Sequence, residues 1–149
     1  MHARTAIRNQ IADLLEAGVP AVAGRVFRSP VSAIDPADMP CLAVFVRGEE
    51  IAAGTVLSAG KRRLRRVAEV VISAMVASGE DPLGAAEDLL AQVETVLADN
   101  PTIGGLVQQM TPTALEVDKD DEGEVPIAGG ALSYAATYYT REGSPGAPD

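Results

Sequence analysis

The chain has 149 residues, of which 47 % are hydrophobic, so it can bury the core of one ordinary domain without metals or disulfides. Its net charge of −9 argues against a general nucleic-acid binder, because phosphate binding requires a positive surface. The single cysteine excludes an internal disulfide framework, and no apolar run approaches the roughly 20 residues needed to cross a bilayer.

The first predicted element is an amphipathic helix over residues 3–17. Apolar residues recur at helical spacing on one side of this segment, namely Ile7, Ile11, Leu14 and Leu15. Gly18 is a natural stop. No long apolar stretch precedes Asp13, so no signal peptide is expected, and we expect a soluble, intracellular protein without a membrane partner.

The sequence pattern predicts three strands in the middle of the chain. Residues 25–28 form a short strand, and a proline-marked loop leads to the continuous apolar run 41–46, which is typical of a central strand. Residues 47–60 contain three glycines and no sustained period, which indicates either a long flexible arm or an extended hairpin. The β-branched cluster in 64–75 favours a long strand over a helix.

A second helix is predicted over residues 82–98, with Asp81 as its N-cap and Pro82 at its first position. Two further strands follow at 107–117 and 131–140. The expected fold is α+β, with a single mostly antiparallel β-sheet and two helices packed on one face. We expect one domain over residues 1–141 and a disordered tail over 142–149.

Few residues offer chemistry. His2 lies at a terminus, and Cys41 lies in the most apolar strand, where a small buried hydrophobe is far commoner than a nucleophile. Asp118–Gly123 matches half of a calcium loop, but position twelve is Gly129 instead of a bidentate acid. We therefore expect no catalytic residue, no metal site and no cofactor; a weak divalent site completed by a neighbouring subunit stays open.

Charge is unevenly distributed along the chain. Residues 1–72 contain ten Lys/Arg and seven Asp/Glu, a balance of +3, whereas residues 73–149 contain two and fourteen, a balance of −12. This pattern suits copies that meet through opposite charges, although solubility alone could also explain it. The candidate subunit or partner interface consists of Arg62, Arg63, Arg65, Arg66, Asp118, Asp120, Asp121 and Glu122.

Several segments together resemble the tail terminator proteins of long-tailed bacteriophages, the minor tail protein U family. The segments are Arg4 to Leu15, Arg25-Val26-Phe27, Met39-Pro40 to Glu49, Glu69-Val70-Val71-Ile72, Leu83 to Leu97 and Leu132 to Tyr138. The resemblance spans residues 4–140, and its most telling parts are the Pro-then-apolar strand followed by Gly-Glu and the closing Leu-x-Tyr-x-x-x-Tyr strand. The basic run 61–66, the Ala-rich second helix and the Pro/Gly tail depart from the family.

The resemblance implies a non-enzymatic, homo-hexameric ring that caps the tail tube, stops its polymerisation and provides the head-attachment surface. Its implied partners are the tail tube protein and a head-completion or connector protein, with assembly in the host cytoplasm and a final place in the virion tail. A head–tail connector or tail-completion protein is the nearest alternative. A small-ligand binding module is a more distant one, because no set of convergent polar groups is evident.

Overall fold

The structure is a computed structural model that describes residues 1–56, 60–77, 79–120 and 126–148. Within these residues the chain forms two α-helices and six strands. They are α1 (Ala3–Gly18), β1 (Val26–Arg28), β2 (Cys41–Val56), β3 (Arg62–Ala77), α2 (Pro82–Ala98), β4 (Gln109–Asp120), β5 (Ile127–Arg141) and β6 (Ser144–Pro148). Both predicted helices are confirmed, and 64–75 is a strand, as expected.

The strands form one sheet in the order β1-β2-β3-β5-β4, with β6 also paired to β5. The α+β class is confirmed, but the prediction of a mostly antiparallel sheet is wrong: the sheet is mixed and curls into a half-barrel. β1 lies parallel to β2, while β3, β4, β5 and β6 take part in antiparallel pairings. The loop over residues 29–40 makes the parallel pair possible, because it returns the chain to the start of β1 before β2 begins.

One hydrophobic core joins the two helices to one face of the sheet. Alternate residues of β3 (Ala68, Val70 and Ile72) are fully buried in this core. The other contributors include Ile7, Ile11 and Leu15 of α1, Leu90, Val93 and Leu97 of α2, and Leu132, Tyr134, Ala136 and Tyr138 of β5. Every second residue of β5 from Leu132 to Tyr138 therefore faces this core.

The second helix begins and ends where its sequence signals place it. The Asp81 carboxylate accepts a hydrogen bond from the Gly84 amide at 3.0 Å, which satisfies one of the free N–H groups of the first turn. On the sheet beneath, a Cβ added to Gly130 would lie 2.7 Å from a methyl group of Leu90. The absence of a side chain at Gly130 thus lets α2 approach β5 closely.

Residues 47–56 are not a flexible arm, because they continue β2 and pair with the first half of β3. The second alternative, an extended hairpin, is correct for this part, while residues 57–59 lie outside the described residues. The register shifts between Val46 and Glu49, so a bulge interrupts the alternation of side chains. This bulge explains why the sequence showed no sustained period there.

The C-terminal segment differs from its prediction. Residues 144–148, expected to be disordered, form β6, which pairs with β5 at Thr140 and Arg141. A Cβ added to Gly146 would lie 2.3 Å from the carbonyl oxygen of Met1, so the segment also approaches the start of α1. Backbone pairing, which depends little on side-chain hydrophobicity, orders this stretch.

Candidate subunit interface

The basic run is divided between the two faces of β3. Arg66 faces the helices, like the buried residues that follow it at every second position, whereas Arg63 and Arg65 face the opposite side. The four arginines therefore do not form one surface. Their local contacts differ accordingly.

Arg66 is buried and fully engaged within its own chain. Its Nη1 lies 2.8 Å from Glu49 Oε2, and its Nε donates to Thr140 Oγ1 at 2.8 Å. The Tyr138 hydroxyl donates to the other oxygen of Glu49. Burial and then this hydrogen bond to Glu49 raise the pKa of Tyr138. Arg66 is only 7 % exposed, so it adds no charge to the surface of the single chain, contrary to its assignment to the interface.

Arg62 forms an ion pair near the C-terminus of its own chain. Its Nε lies 2.6 Å from Glu142 Oε2, and both side chains are exposed. The hydrogen bond between them, the larger cause, raises the pKa of Arg62 and lowers that of Glu142. Such an exposed pair is screened by solvent and can exchange partners.

Arg63 and Arg65 carry positive charge on the face away from the helices. The Arg63 guanidinium lies 4.0 Å from the centroid of the Tyr139 ring, a cation–π contact. Arg65 is exposed and pairs in the ladder with Ala52 of β2 and Tyr139 of β5. These two arginines, with the exposed Lys61 and Arg62, make the hairpin end of the sheet basic.

The acidic candidates that the structure describes, Asp118 and Asp120, lie at the other end of the sheet. Asp118 is exposed on β4, opposite Gly129 of β5. Asp120 ends β4, while Asp121 and Glu122 lie outside the described residues. Asp118 therefore belongs to a strand, so the half-match to a calcium loop begins on extended backbone.

The basic candidates on β3 and the described acidic candidates on β4 are too far apart to meet within one chain. Arg63 is opposite Arg141 of β5, and Asp118 is opposite Gly129 of the same strand. At ~3.3 Å per residue, these twelve residues of β5 span about 40 Å. The structure does not bring the two groups together; it places them at opposite ends of the sheet.

Sequence reasoning missed the buried cluster of Glu49, Arg66, Tyr138 and Thr140. Its hydrogen-bonded partners are 17 to 89 residues apart in sequence, and the long hairpin brings Glu49 beside Arg66. It also missed three exposed apolar side chains near the sheet edges, Ile51, Leu115 and Val117. These three residues are hydrophobic and lie on strands. This is the sequence signal that could have indicated a surface covered by another molecule.

Neither a metal-binding cluster nor a helix able to span a membrane occurs in the described part of the chain. No group of three or more His, Cys, Asp or Glu residues there is arranged to hold a metal ion. No helix there has the length and apolar character required to span a membrane.

No protein-family model and no curated protein matches the chain. Among solved structures, it is similar to a chain of "Virion of native gene transfer agent (GTA) particle", with a TM-score of 0.41 and 11 % sequence identity. The similarity covers 89 % of this chain and 97 % of that chain. A similarity this weak establishes neither a shared fold nor a shared function.

Proposed function

We propose that this protein is a structural component of a phage-like virion and, more specifically, a tail terminator. In this role it forms a homo-hexameric ring that caps the tail tube, stops its polymerisation and offers the surface to which the head attaches. Its partners are further copies of itself, the tail tube protein and a head-completion or connector protein. Assembly takes place in the host cytoplasm, and the ring remains in the virion tail.

The observation that carries the proposal is the separation of exposed charge between the two ends of the sheet. Along β5, Arg63 lies about 40 Å and Arg65 about 33 Å from Asp118, as estimated from the rise per residue of a strand. A closed ring requires a heterologous interface, in which one surface of each copy meets a different surface of the next. A protomer with one basic end and one acidic end supplies two such surfaces.

The sequence resemblance adds support because its segments lie throughout the fold. They fall in α1, β1, the first half of β2, the centre of β3, α2 and β5. These elements contribute the side chains of the hydrophobic core. The resemblance therefore concerns the whole arrangement of elements and not one exposed loop.

We further infer that the protein acts through its surfaces and not by catalysis. The only histidine, His2, caps α1, since its Nδ1 accepts a hydrogen bond from the Arg4 amide at 3.1 Å. The only cysteine, Cys41, is fully buried, and burial raises the pKa of its thiol to about 11. Cys41 is therefore not an accessible nucleophile, and one ring nitrogen of His2 is engaged as a helix cap.

Electron microscopy of the purified protein tests the proposal directly. We expect closed rings with sixfold symmetry, and we expect added protein to shorten tubes grown from the tail tube protein of the same system. A protein that remains monomeric up to its solubility limit and leaves tube length unchanged would overturn the proposal. Rings that bind a head connector but never a tube end would instead favour a connector.

A further inference from the structure

Among the described residues, the sheet has two long stretches of unpaired strand edge, one on β4 and one on β2. β4 ends the strand order and pairs only with β5 among the described residues, and its side chains from 111 to 119 are exposed. On the opposite edge, β1 covers only Leu42–Val44 of the sixteen-residue β2. Long uncovered edges are ready templates for strand pairing, and proteins usually shorten, charge or cover them.

Exposed apolar side chains accompany both unpaired edges, and they lie on the same face. Leu115 and Val117 of β4 are 57 % and 36 % exposed, and Ile51 of β2 is 54 % exposed. Leu115 is paired with Leu132 of β5, and Ile51 is paired with Arg66 of β3. Both partners are buried on the helix side of the sheet, so Leu115 and Ile51 lie on that side too. A strand from one edge laid against the other would therefore bring these apolar residues together.

The surface around β4 is acidic, and the hairpin formed by β2 and β3 is basic. Glu116 and Asp118 lie on β4, and the adjacent α2 has three acidic residues and no lysine or arginine. The hairpin end carries Lys61, Arg62, Arg63 and Arg65. The charges of the two surfaces are thus complementary between copies.

A cavity beside β4 contains a buried hydroxyl that has no hydrogen-bond partner among the described residues. The cavity has a volume of about 210 Å³ and lies between the end of α2 and β4, lined by Glu94, Met110, Pro112 and Tyr134. Tyr134 is 3 % exposed, and its hydroxyl makes no hydrogen bond to any described residue. A buried donor without an acceptor is costly, so this groove is incomplete in the single chain.

We propose that the β2–β3 hairpin of a second copy adds to the open edge of β4. β2 is the strand of this hairpin that lies beside β4, because β3 is already paired on both sides. Its backbone hydrogen bonds satisfy the unpaired groups of β4, and its apolar side chains cover Leu115 and Val117. The contact is heterologous, because an edge of one copy meets a different edge of the next. Repeated contacts of this kind form a closed ring if the rotation between copies closes, and a filament if it does not. This inference deepens the proposed function and rests on it only in taking a second copy as the occupant.

Cross-linking between two singly substituted full-length chains tests the contact. Ile51→Cys and Leu115→Cys are mixed and treated with a short bis-maleimide, and we expect a covalent dimer because docking raises their local concentration. The matched control replaces Ile51→Cys by Val31→Cys, since Val31 is also an exposed apolar residue but lies in the loop after β1. The wild-type chain is treated in the same way, and it shows how much cross-linking the buried Cys41 contributes.

The outcomes separate this inference from the proposed function. A dimer in the Ile51→Cys and Leu115→Cys mixture, without one in the Val31→Cys mixture, supports the docking. A chain that forms rings but gives no such dimer overturns the inference and leaves the function standing. A dimer from Leu115→Cys alone would show β4 pairing with β4, which also overturns it, and a strictly monomeric chain overturns both.

Discussion

Glu49 and Arg66 form a buried ion pair that joins the two strands of the long hairpin. Arg66 Nη1 lies 2.8 Å from Glu49 Oε2, and the side chains are 8 % and 6 % exposed for Arg66 and Glu49. Thr140 and Tyr138 complete the hydrogen bonds of this pair from β5. The hairpin is therefore fixed to the rest of the sheet at the point where its basic end begins.

Removing one partner of this pair is expected to destabilise the fold strongly. Arg66→Met leaves the Glu49 carboxylate buried without its cation, so we expect the free energy of unfolding to fall by about 3–5 kcal/mol. The control is Arg65→Met, one residue away on the exposed face, which should change stability by less than about 0.5 kcal/mol. Urea unfolding followed by circular dichroism measures both. Equal losses for the two variants would show that the buried pair has no special role.

Two buried tyrosines should respond differently to removal of the hydroxyl. The Tyr138 hydroxyl donates to Glu49, so Tyr138→Phe should cost about 1.5–3 kcal/mol, as expected for a hydrogen bond to a charged group. The Tyr134 hydroxyl has no partner among the described residues, so Tyr134→Phe should be neutral or stabilising in the monomer. Thermal unfolding of the pair of variants checks this order. A larger loss for Tyr134→Phe would contradict the hydrogen-bond assignment.

Substitution of Gly130 tests the packing of α2 on the sheet. A Cβ at this position would lie 2.7 Å from Leu90 and 2.8 Å from Val117, both closer than carbon atoms approach in folded proteins. We expect Gly130→Ala to cost about 1–3 kcal/mol, the usual penalty for overpacking. Gly129→Ala is the matched control, because its Cβ would meet only one backbone oxygen at 3.4 Å. Urea midpoints that coincide for the two variants would argue against close packing at Gly130.

The sequence predicted most accurately the elements that local signals define. α2 was placed to the residue because Asp81 and Pro82 start it and Asn100-Pro101 follows its end. The hairpin could not be assigned, since the bulge between Val46 and Glu49 removes the alternation that identifies a strand. The parallel pairing of β1 depends on where a twelve-residue loop leads, which no local pattern determines.

The exposure of the candidate interface residues could be predicted only in part, for a related reason. Composition located the basic run, but a strand directs alternate residues to opposite faces. Whether Arg66 is exposed depends on which face the helices cover and on a carboxylate 17 positions away. Arg65 and Asp118 are exposed, as an interface requires, while Arg66 stabilises the single chain.

The Cys41 thiol should be unreactive in the native protein. Its titration should also lower the free energy of unfolding at alkaline pH. Burial raises the pKa of Cys41 from 9.0 to about 11, so the folded chain keeps a proton that the unfolded chain loses in this range. Stability contributed by this group is present below pH 9 and is lost as the pH rises towards 11. We expect a shallower decline of the urea midpoint over this range in Cys41→Ala than in wild type. Rapid labelling of native Cys41 by a thiol reagent at neutral pH would contradict its burial.

Charge reversal at the hairpin should weaken association between copies. Arg65 is exposed and faces away from the helices, so Arg65→Glu removes a cation without disturbing the core. Arg28→Glu is the control: it makes the same change of charge on β1, which pairs with β2 at Val44, eight positions from Ala52, the ladder partner of Arg65. Because Arg28 also pairs with Asp13 and Glu16, thermal unfolding of both variants is measured first to show that each is folded. Sedimentation velocity should show a larger fraction of monomer for Arg65→Glu than for Arg28→Glu. High salt should weaken wild-type association as well, because the screening length falls from about 10 Å at 0.1 M to about 3 Å at 1 M.

Rescue within one polypeptide distinguishes contact between copies from a local effect. Arg65 and Asp118 are separated along the sheet by most of the length of β5, so they cannot pair inside one chain. If copies meet basic end to acidic end, then Asp118→Lys added to Arg65→Glu restores an attractive pair across every interface and should recover part of the association. A double variant that associates no better than Arg65→Glu would show that these two charges do not meet. Equal association of Arg65→Glu and wild type at low salt would show that the charge of Arg65 does not contribute to the interface.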